Sequence, residues 1–128
     1  MAQLAWNPAA DAEAILSDYY TRAFGPAAPH VREYFESIEK ERMPFAAKNG
    51  EAGVFSFPQL YTEALLTASQ ARLDRAAAAV PADSIFAKRV AFIQAGLTHT
   101  KLMMDTITLM DGYWKKKDAA VAERVKQN

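Results

Sequence analysis

The sequence contains no cysteine, and this absence removes several kinds of site at once. Without thiols the chain can form no disulfide, no thiolate metal site and no cysteine nucleophile. Histidine is nearly as scarce, with two residues, His30 and His99. Neither has a glutamate three positions before it, as the Glu-x-x-His motif of metal sites in helical bundles requires. We therefore predict that the chain holds no metal ion and no cofactor.

Both histidines are interpreted as structural residues. His99 falls on the apolar side of the longest predicted helix, where a lone histidine is most often a hydrogen-bonded core residue. His30 lies in the first turns of another helix, where we expect it to be exposed. Haem ligation by this pair is a weaker alternative, and covalent haem attachment through Cys-x-x-Cys-His is excluded. The methionines Met103, Met104 and Met110 indicate flexible core filling rather than a soft-metal site.

An excess of either charge is also missing, since 15 lysine and arginine residues balance 15 aspartate and glutamate residues. A neutral chain has no large positive field to attract a phosphate backbone, so we expect no nucleic-acid partner. No apolar run approaches the roughly 20 residues that span a bilayer. The first residues also lack the basic and then apolar pattern of a signal peptide. We expect no membrane partner, while the compartment stays open because a longer parent protein could be exported.

Catalytic signatures are absent as well. The sequence has neither a glycine-rich phosphate loop nor a Gly-x-Ser-x-Gly elbow, and residues 50–53 have a spacing that predicts a turn. Asp105 and Asp111 interrupt the most apolar helix, and we interpret both as residues at its solvent edge. The isolated chain is therefore predicted not to be an enzyme.

Proline and glycine are few but divide the first half of the chain clearly. Asn7 followed by Pro8 predicts the start of a first helix, and Gly25 predicts its end. Pro26 begins a second helix, which we expect Pro44 to end because the residue before a proline is disfavoured in the α region.

The second half contains the longest helix. A turn-rich loop over residues 44–57 leads to a third helix, from Pro58 to about Val80. Asp83 or Ser84 caps a fourth helix of about 28 residues that ends near Gly112, and residues 113–128 predict a short fifth helix.

Two apolar stripes run along the fourth helix. The first has alternating spacings of four and three residues, typical of a heptad seam, and comprises Phe86, Val90, Ile93, Leu97, Thr100, Met104 and Ile107. The second is expected to widen the buried face, and comprises Ile85, Phe92, Gly96, His99, Met103 and Met110. We predict one all-α domain over residues 1–128, a bundle of four to five helices with this long fourth helix at its centre.

Amphipathic aromatic residues supply the clearest candidate surface. Trp6 precedes the first helix, while Tyr113 and Trp114 follow the longest one. Tyrosine and tryptophan combine a large apolar body with a polar atom and are enriched where a domain meets another surface. We therefore expect Trp6, Tyr113 and Trp114 to form a docking surface, the alternative being that they pack over the ends of the bundle.

A longer pattern emerges when these segments are put in order. Residues 4–11 read LAWNPAAD, residues 16–20 read LSDYY and residues 24–28 read FGPAA. Together they resemble the C-terminal helical region of large glycoside-hydrolase-like proteins, in an uncharacterised family related in architecture to α-glucuronidases. Residues 89–97 are similar to the later long helix of that family.

The resemblance implies a place in a larger protein. In such proteins a (β/α) barrel precedes this region and holds the catalytic carboxylates. No barrel exists in this chain, so no catalytic residue is carried over. The resemblance implies that the chain is the C-terminal part of a longer multidomain protein, with Met1 supplied by a truncation.

Two functions follow as expectations. The resemblance implies a non-catalytic accessory or oligomerising helical domain of a carbohydrate-active protein, whose partner is the catalytic barrel of a parent chain or a second copy of itself. The alternative is a stand-alone helical interaction module that binds a partner helix or a small apolar ligand. A small bundle enzyme or metal carrier is a weaker third interpretation. The sequence leaves open which sugar is involved.

Overall fold

The computed structural model describes residues 11–49 and 53–127. In these two stretches 91% of the residues are helical and none lies in a strand, which confirms the predicted all-α class. The five helices are α1 (Ala12–Phe24), α2 (Ala28–Asn49), the single turn α3 (Phe57–Leu60), α4 (Glu63–Ala78) and α5 (Ile85–Gln127). The predicted first-helix start at Asn7 and Pro8 lies outside the described residues.

The first corner of the fold is made by Gly25. Helix α1 begins after Asp11, whose side chain accepts a hydrogen bond of 2.9 Å from the backbone N–H of Glu13. It ends at Gly25, which has a φ of 52° and donates its N–H to the carbonyl of Thr21. A 3₁₀ turn over Gly25–Ala27 then leads directly into α2. The predicted stop at this glycine is thus confirmed.

The four long helices form a ring. Helix α1 packs against α2 and α5, and α4 lies between α2 and α5 to complete the ring. At the Gly25 end the core includes Val31, Ala76 and Val90, and further along Tyr34, Leu73 and Leu97 form a second buried cluster.

The first apolar stripe of α5 faces this core. Its buried members are Val90, Leu97, Met104 and Ile107. Phe86 and Ile93 are partly buried and pack against the buried clusters. Helix α5 packs on α1, α3 and α4, so the predicted long helix with several neighbours is confirmed.

Helix α5 is longer than predicted. It continues through Gly112 as one helix of 43 residues, so the predicted stop there and the separate fifth helix are wrong. A glycine ends a helix when its φ is positive, and among the described glycines only Gly25 has a positive φ. In the α conformation Gly112 costs about 1 kcal/mol relative to alanine, which a helix of this length tolerates.

Helix α2 also passes a residue that was expected to end it. Pro44 lies inside this helix, which continues to Asn49. Proline removes one backbone donor and crowds the preceding turn, which disfavours a helix without forbidding one. The expected end at Pro44 is therefore wrong, because the helix continues for more than one further turn, to Asn49.

The predicted third helix is two helices. Tyr61 leaves the helical conformation with a ψ of 64°, and Thr62 begins α4 by accepting a hydrogen bond of 3.2 Å from the N–H of Leu65. A threonine side chain satisfies one of the free N–H donors at a helix start, so it favours a new beginning here. Ser84 caps α5 in the same way, because its side chain accepts a hydrogen bond of 3.0 Å from the N–H of Ala87. Of the two predicted caps, Asp83 and Ser84, the structure therefore uses Ser84.

Replacing Gly25 by alanine should destabilise the fold. A Cβ at this position would lie 2.8 Å from the ring of Phe86, and the backbone conformation is one that side chains rarely adopt. We expect Gly25→Ala to lower the free energy of unfolding by about 1–3 kcal/mol. The matched control is Gly112→Ala, where a Cβ meets nothing within 4 Å. It should raise stability by about 0.5–1 kcal/mol. Urea unfolding measures both, and equal effects of the two variants would contradict the assigned corner.

Candidate functional site

The second apolar stripe of α5 faces solvent. We call this surface the outer seam and define it by eight exposed residues: Ile85, Phe92, Gly96, His99, Met103, Thr106, Met110 and Tyr113. Its most exposed large hydrophobic residue is Phe92, with 81% of its surface accessible. Leu102 and Leu109 flank the seam and are also exposed, Leu109 at 74%. The expectation that this stripe widens the buried face is wrong.

The reason is the position of α5 in the ring. Its two long neighbours are α1 and α4, and both lie toward the first stripe. The outer seam is left on the opposite side, and among the described residues no helix packs over it. Heptad spacing alone cannot distinguish a face used inside the domain from a face that remains free, because both have the same period.

Three of the interpreted core residues lie on this outer face. His99 is exposed, so its interpretation as a buried structural residue is wrong. Met103 and Met110 are roughly half exposed, whereas Met104 is 6% exposed and fills the core as predicted. Asp105 is exposed, as expected, and Asp111 forms an ion pair of 2.6 Å with Lys115.

Two of the three predicted docking aromatics lie together near the C-terminal part of α5. The rings of Tyr113 and Trp114 have their centroids 5.6 Å apart at an angle of 71°. Lys117 places its ammonium 4.9 Å from the Trp114 ring centroid. Both aromatics are exposed, and they lie within the helix rather than after it. Trp6, the third, lies outside the described residues, so its relation to this pair stays a prediction.

A groove of about 1000 Å³ opens between α1 and α5. Tyr19, Phe35 and Phe92 are among its apolar walls, and Phe92 also belongs to the outer seam. Charged side chains line it as well, namely Asp18, Arg22, Lys88 and Arg89. The groove thus continues the outer seam at the N-terminal end of α5.

The guanidinium of Arg89 joins the groove to the bundle. It donates a hydrogen bond of 2.7 Å to the backbone carbonyl of Ala23, in the last turn of α1. The C-terminal carbonyls of a helix are free acceptors with partial negative charge, so a cation stabilises them. Sequence reasoning missed this contact, since it joins residues that are 66 positions apart.

The opposite side of the bundle carries paired charges. Glu33 on α2 accepts hydrogen bonds from Arg72 at 3.0 Å and from Arg75 at 3.3 Å, both on α4. Arg32 bridges Glu13 on α1 and Glu36 on its own helix. The hydrogen bond from Arg72 holds the pKa of Glu33 below its usual value. The hydrogen bonds that Arg32 donates to Glu36 and Glu13 raise the pKa of this arginine above its usual value.

These residues offer no metal centre of the usual kind. Within residues 11–49 and 53–127 no group of three histidine or acidic side chains could hold a metal ion. None of the helices in the same part of the chain combines the length and the hydropathy that a membrane span needs. The chemistry of the outer seam and the groove is that of apolar contact with cations at the edges.

Comparison with known proteins returned no match, since no family model, no curated protein and no solved structure was found to be similar to this chain. The resemblance to a glycoside-hydrolase-like family therefore stays a prediction from the quoted residues.

The ion pairs of Glu33 predict a pH dependence of stability. Because the pKa of Glu33 is lower in the folded chain than in the unfolded one, its contribution is present above the unfolded value and is lost as the pH falls through the folded value. We expect Glu33→Gln to lower the melting temperature at pH 7, and the difference from the unaltered chain to shrink below about pH 4. Circular dichroism melts between pH 3 and 7 measure it. The control is Glu41→Gln, an exposed change on the same helix. A difference that is constant with pH would show that Glu33 acts by packing instead.

Proposed function

We propose that this chain is a non-catalytic accessory or oligomerising helical domain of a carbohydrate-active protein, which docks onto another domain through α5. The observation that carries the proposal is the outer seam. The seam and its flanks expose phenylalanine, leucine and methionine side chains along one helix face, and contiguous exposed apolar surface commonly marks an interaction site. The resemblance of residues 4–28 and 89–97 supplies the kind of parent protein.

The shape of α5 supports a docking role. At 43 residues this helix is about 65 Å long, while α1 and α4 have 13 and 16 residues. Within the described residues it presents apolar side chains well beyond the ring of helices, including Tyr113 and Trp114. A rigid helix that presents aromatic and methionine side chains is a common form of binding surface.

A second candidate function is favoured by the groove between α1 and α5. Its volume of about 1000 Å³ lies at the upper end of the range for small-molecule sites. Tyr19 and Phe92 provide apolar walls, and Lys88 provides a charge, since Arg22 is already paired with Asp18, so the groove suits a small apolar ligand with one anionic group. In this interpretation the chain is a stand-alone interaction module.

The accessory function predicts that the isolated chain is catalytically inactive. A glycosidase usually needs two carboxyl groups about 5–9.5 Å apart in a sugar-binding cleft. We expect the purified chain to hydrolyse no aryl glycoside or aryl glucuronide above the buffer rate. A chromogenic panel measures this, with a commercial glycosidase as positive control. Turnover that co-purifies with the chain through a second column, and that disappears when the chain is unfolded, would contradict the accessory function.

The docking role predicts that an apolar dye binds at the outer seam. We expect anilinonaphthalene sulfonate to fluoresce with the folded chain, and the signal to fall by at least half in a Leu109→Gln, Met110→Gln variant. The reason is that these two side chains are exposed by 74% and 46% on adjacent positions of α5. The control is Met43→Gln on α2, where the side chain is 65% exposed but lies away from the seam. Equal loss in both variants, or no dye binding to the folded chain, would contradict a docking surface on α5.

A further inference from the structure

The outer seam has the strict period of a helix-pairing surface. Ile85, Phe92, His99, Thr106 and Tyr113 follow one another at intervals of seven residues, and Gly96, Met103 and Met110 do the same. A straight α-helix drifts relative to a seven-residue repeat, so a sustained repeat suits a second helix that winds along it. The first stripe of α5 has the same period and packs on helices inside the bundle.

The charge along this helix is one-sided. Along α5 the sequence has eight lysine and arginine residues and four aspartate and glutamate residues, although the whole chain is neutral. Asp111 and Glu123 are paired with Lys115 and Lys126, and Asp105 lines a separate small pocket beside α3 and α4. At 100° per residue none of these three acidic residues, nor the exposed Asp118, falls on the outer seam.

Cations lie at both ends of the seam. Lys88 and Arg89 border it beside Phe92, and Lys117 follows Met110 by seven residues. Within the described residues no carboxylate forms an ion pair with any of the three: Arg89 donates to backbone carbonyls, and Lys117 lies over the Trp114 ring. Their positive charge is therefore available to a partner, over a span of about 43 Å along the helix.

We propose that the outer seam binds an amphipathic helix whose apolar stripe is flanked by carboxylates. The proposal rests on the docking role above and names the chemistry of the partner. Apolar side chains of the incoming helix pack between those of the seam, and its glutamates or aspartates meet Lys88 and Lys117. Such charge complementarity determines which helices pair and in which orientation.

A second copy of the chain fits this surface poorly. In a parallel pair Lys88 faces Lys88 and Lys117 faces Lys117, while an antiparallel pair about the seam centre brings the two cationic ends together. Like charges across a helix pair are destabilising in either orientation.

An anionic lipid surface would match the cations but not the middle of the seam, where His99 and Thr106 would enter the apolar layer. A polar residue at one seam position is instead a common device that fixes the register of paired helices.

The test uses two synthetic helices of four heptads with identical leucine seams. One carries glutamate and the other lysine at the flanking positions, so each repels itself and stays monomeric. We expect the glutamate helix to bind the full chain at least tenfold more tightly than the lysine helix in 50 mM salt, measured by calorimetry. The preference should shrink in 1 M salt, where the screening length falls to about 3 Å.

Chain variants locate the binding. The double variant Phe92→Glu, Met103→Glu should bind the glutamate helix at least tenfold more weakly, while the control Met43→Glu should bind it with unchanged affinity. Lys88→Glu with Lys117→Glu should reverse the preference between the two helices. All of these side chains are exposed, so the variants are expected to fold, and circular dichroism melts check that they do.

Several outcomes would overturn the proposal. Equal affinity for the two helices would contradict an acidic partner, and the absence of binding to either helix would contradict a helical partner. Light scattering that shows a dimer broken by Phe92→Glu assigns the seam to a second copy, and tighter binding to phosphatidylglycerol vesicles than to the glutamate helix assigns it to a lipid surface. These results leave dye binding and the absence of glycoside turnover untouched, so they are distinguishable from failure of the proposed function.

Discussion

The unequal lengths of the helices determine most of what is distinctive in this structure. A helix buries a face only where another element lies beside it, and α5 has 43 residues against 13 in α1 and 16 in α4. Its first half therefore lies in a ring of helices around Val90 and Leu97. Its second half extends beyond them with apolar side chains on its surface. The exposure of Tyr113 and Trp114 follows from this mismatch, whereas the first half of the outer seam is free because it faces away from the ring.

Charged side chains are also distributed differently on the two sides of the bundle. On the α2 and α4 side, Glu33 and Arg72 pair across two helices, and the positive and negative groups compensate each other locally. At the two ends of the outer seam, Arg89 donates to a backbone carbonyl and Lys117 lies over an aromatic ring, and neither forms an ion pair with a carboxylate of the described residues. A chain with no net charge thus has one compensated side and one side with an electrostatic preference, which net charge alone conceals.

Much of the fold could be predicted because it depends on short-range signals. The end of α1 at Gly25 follows from the backbone freedom of glycine, and the heptad spacing of Val90, Leu97 and Met104 identifies the buried face of α5. Proline and glycine gave wrong helix ends where the rest of the helix is stable enough to continue through them. Pro44 and Gly112 disfavour a helix by only a few kcal/mol, so a helix otherwise well formed continues through them.

The candidate site was harder to predict than the fold. Its residues were seen as a stripe, but Phe92, His99 and Met103 were expected to be buried because spacing shows only that residues share a face. Which face has a neighbour depends on the ring of helices, and that is a property of the whole chain. The contact of Arg89 with the end of α1 was invisible for the same reason. Tyr113 and Trp114 could be named in advance because their side chains are suited to interfaces wherever they are exposed.

The closure of the ring has a further consequence for the order of folding. Arg89 reaches Ala23 across 66 positions, whereas Arg72 reaches Glu33 across 39. Joining distant segments costs more chain entropy than joining nearer ones, so the pairing of α2 with α4 can form before α1 meets α5. The contact of α1 with α5 would then be the last to form and the first to open in local opening, while α1 stays beside α2. Since α1 forms one wall of the groove beside Phe92, the time that this helix spends detached from α5 would set how readily the groove opens to an incoming molecule.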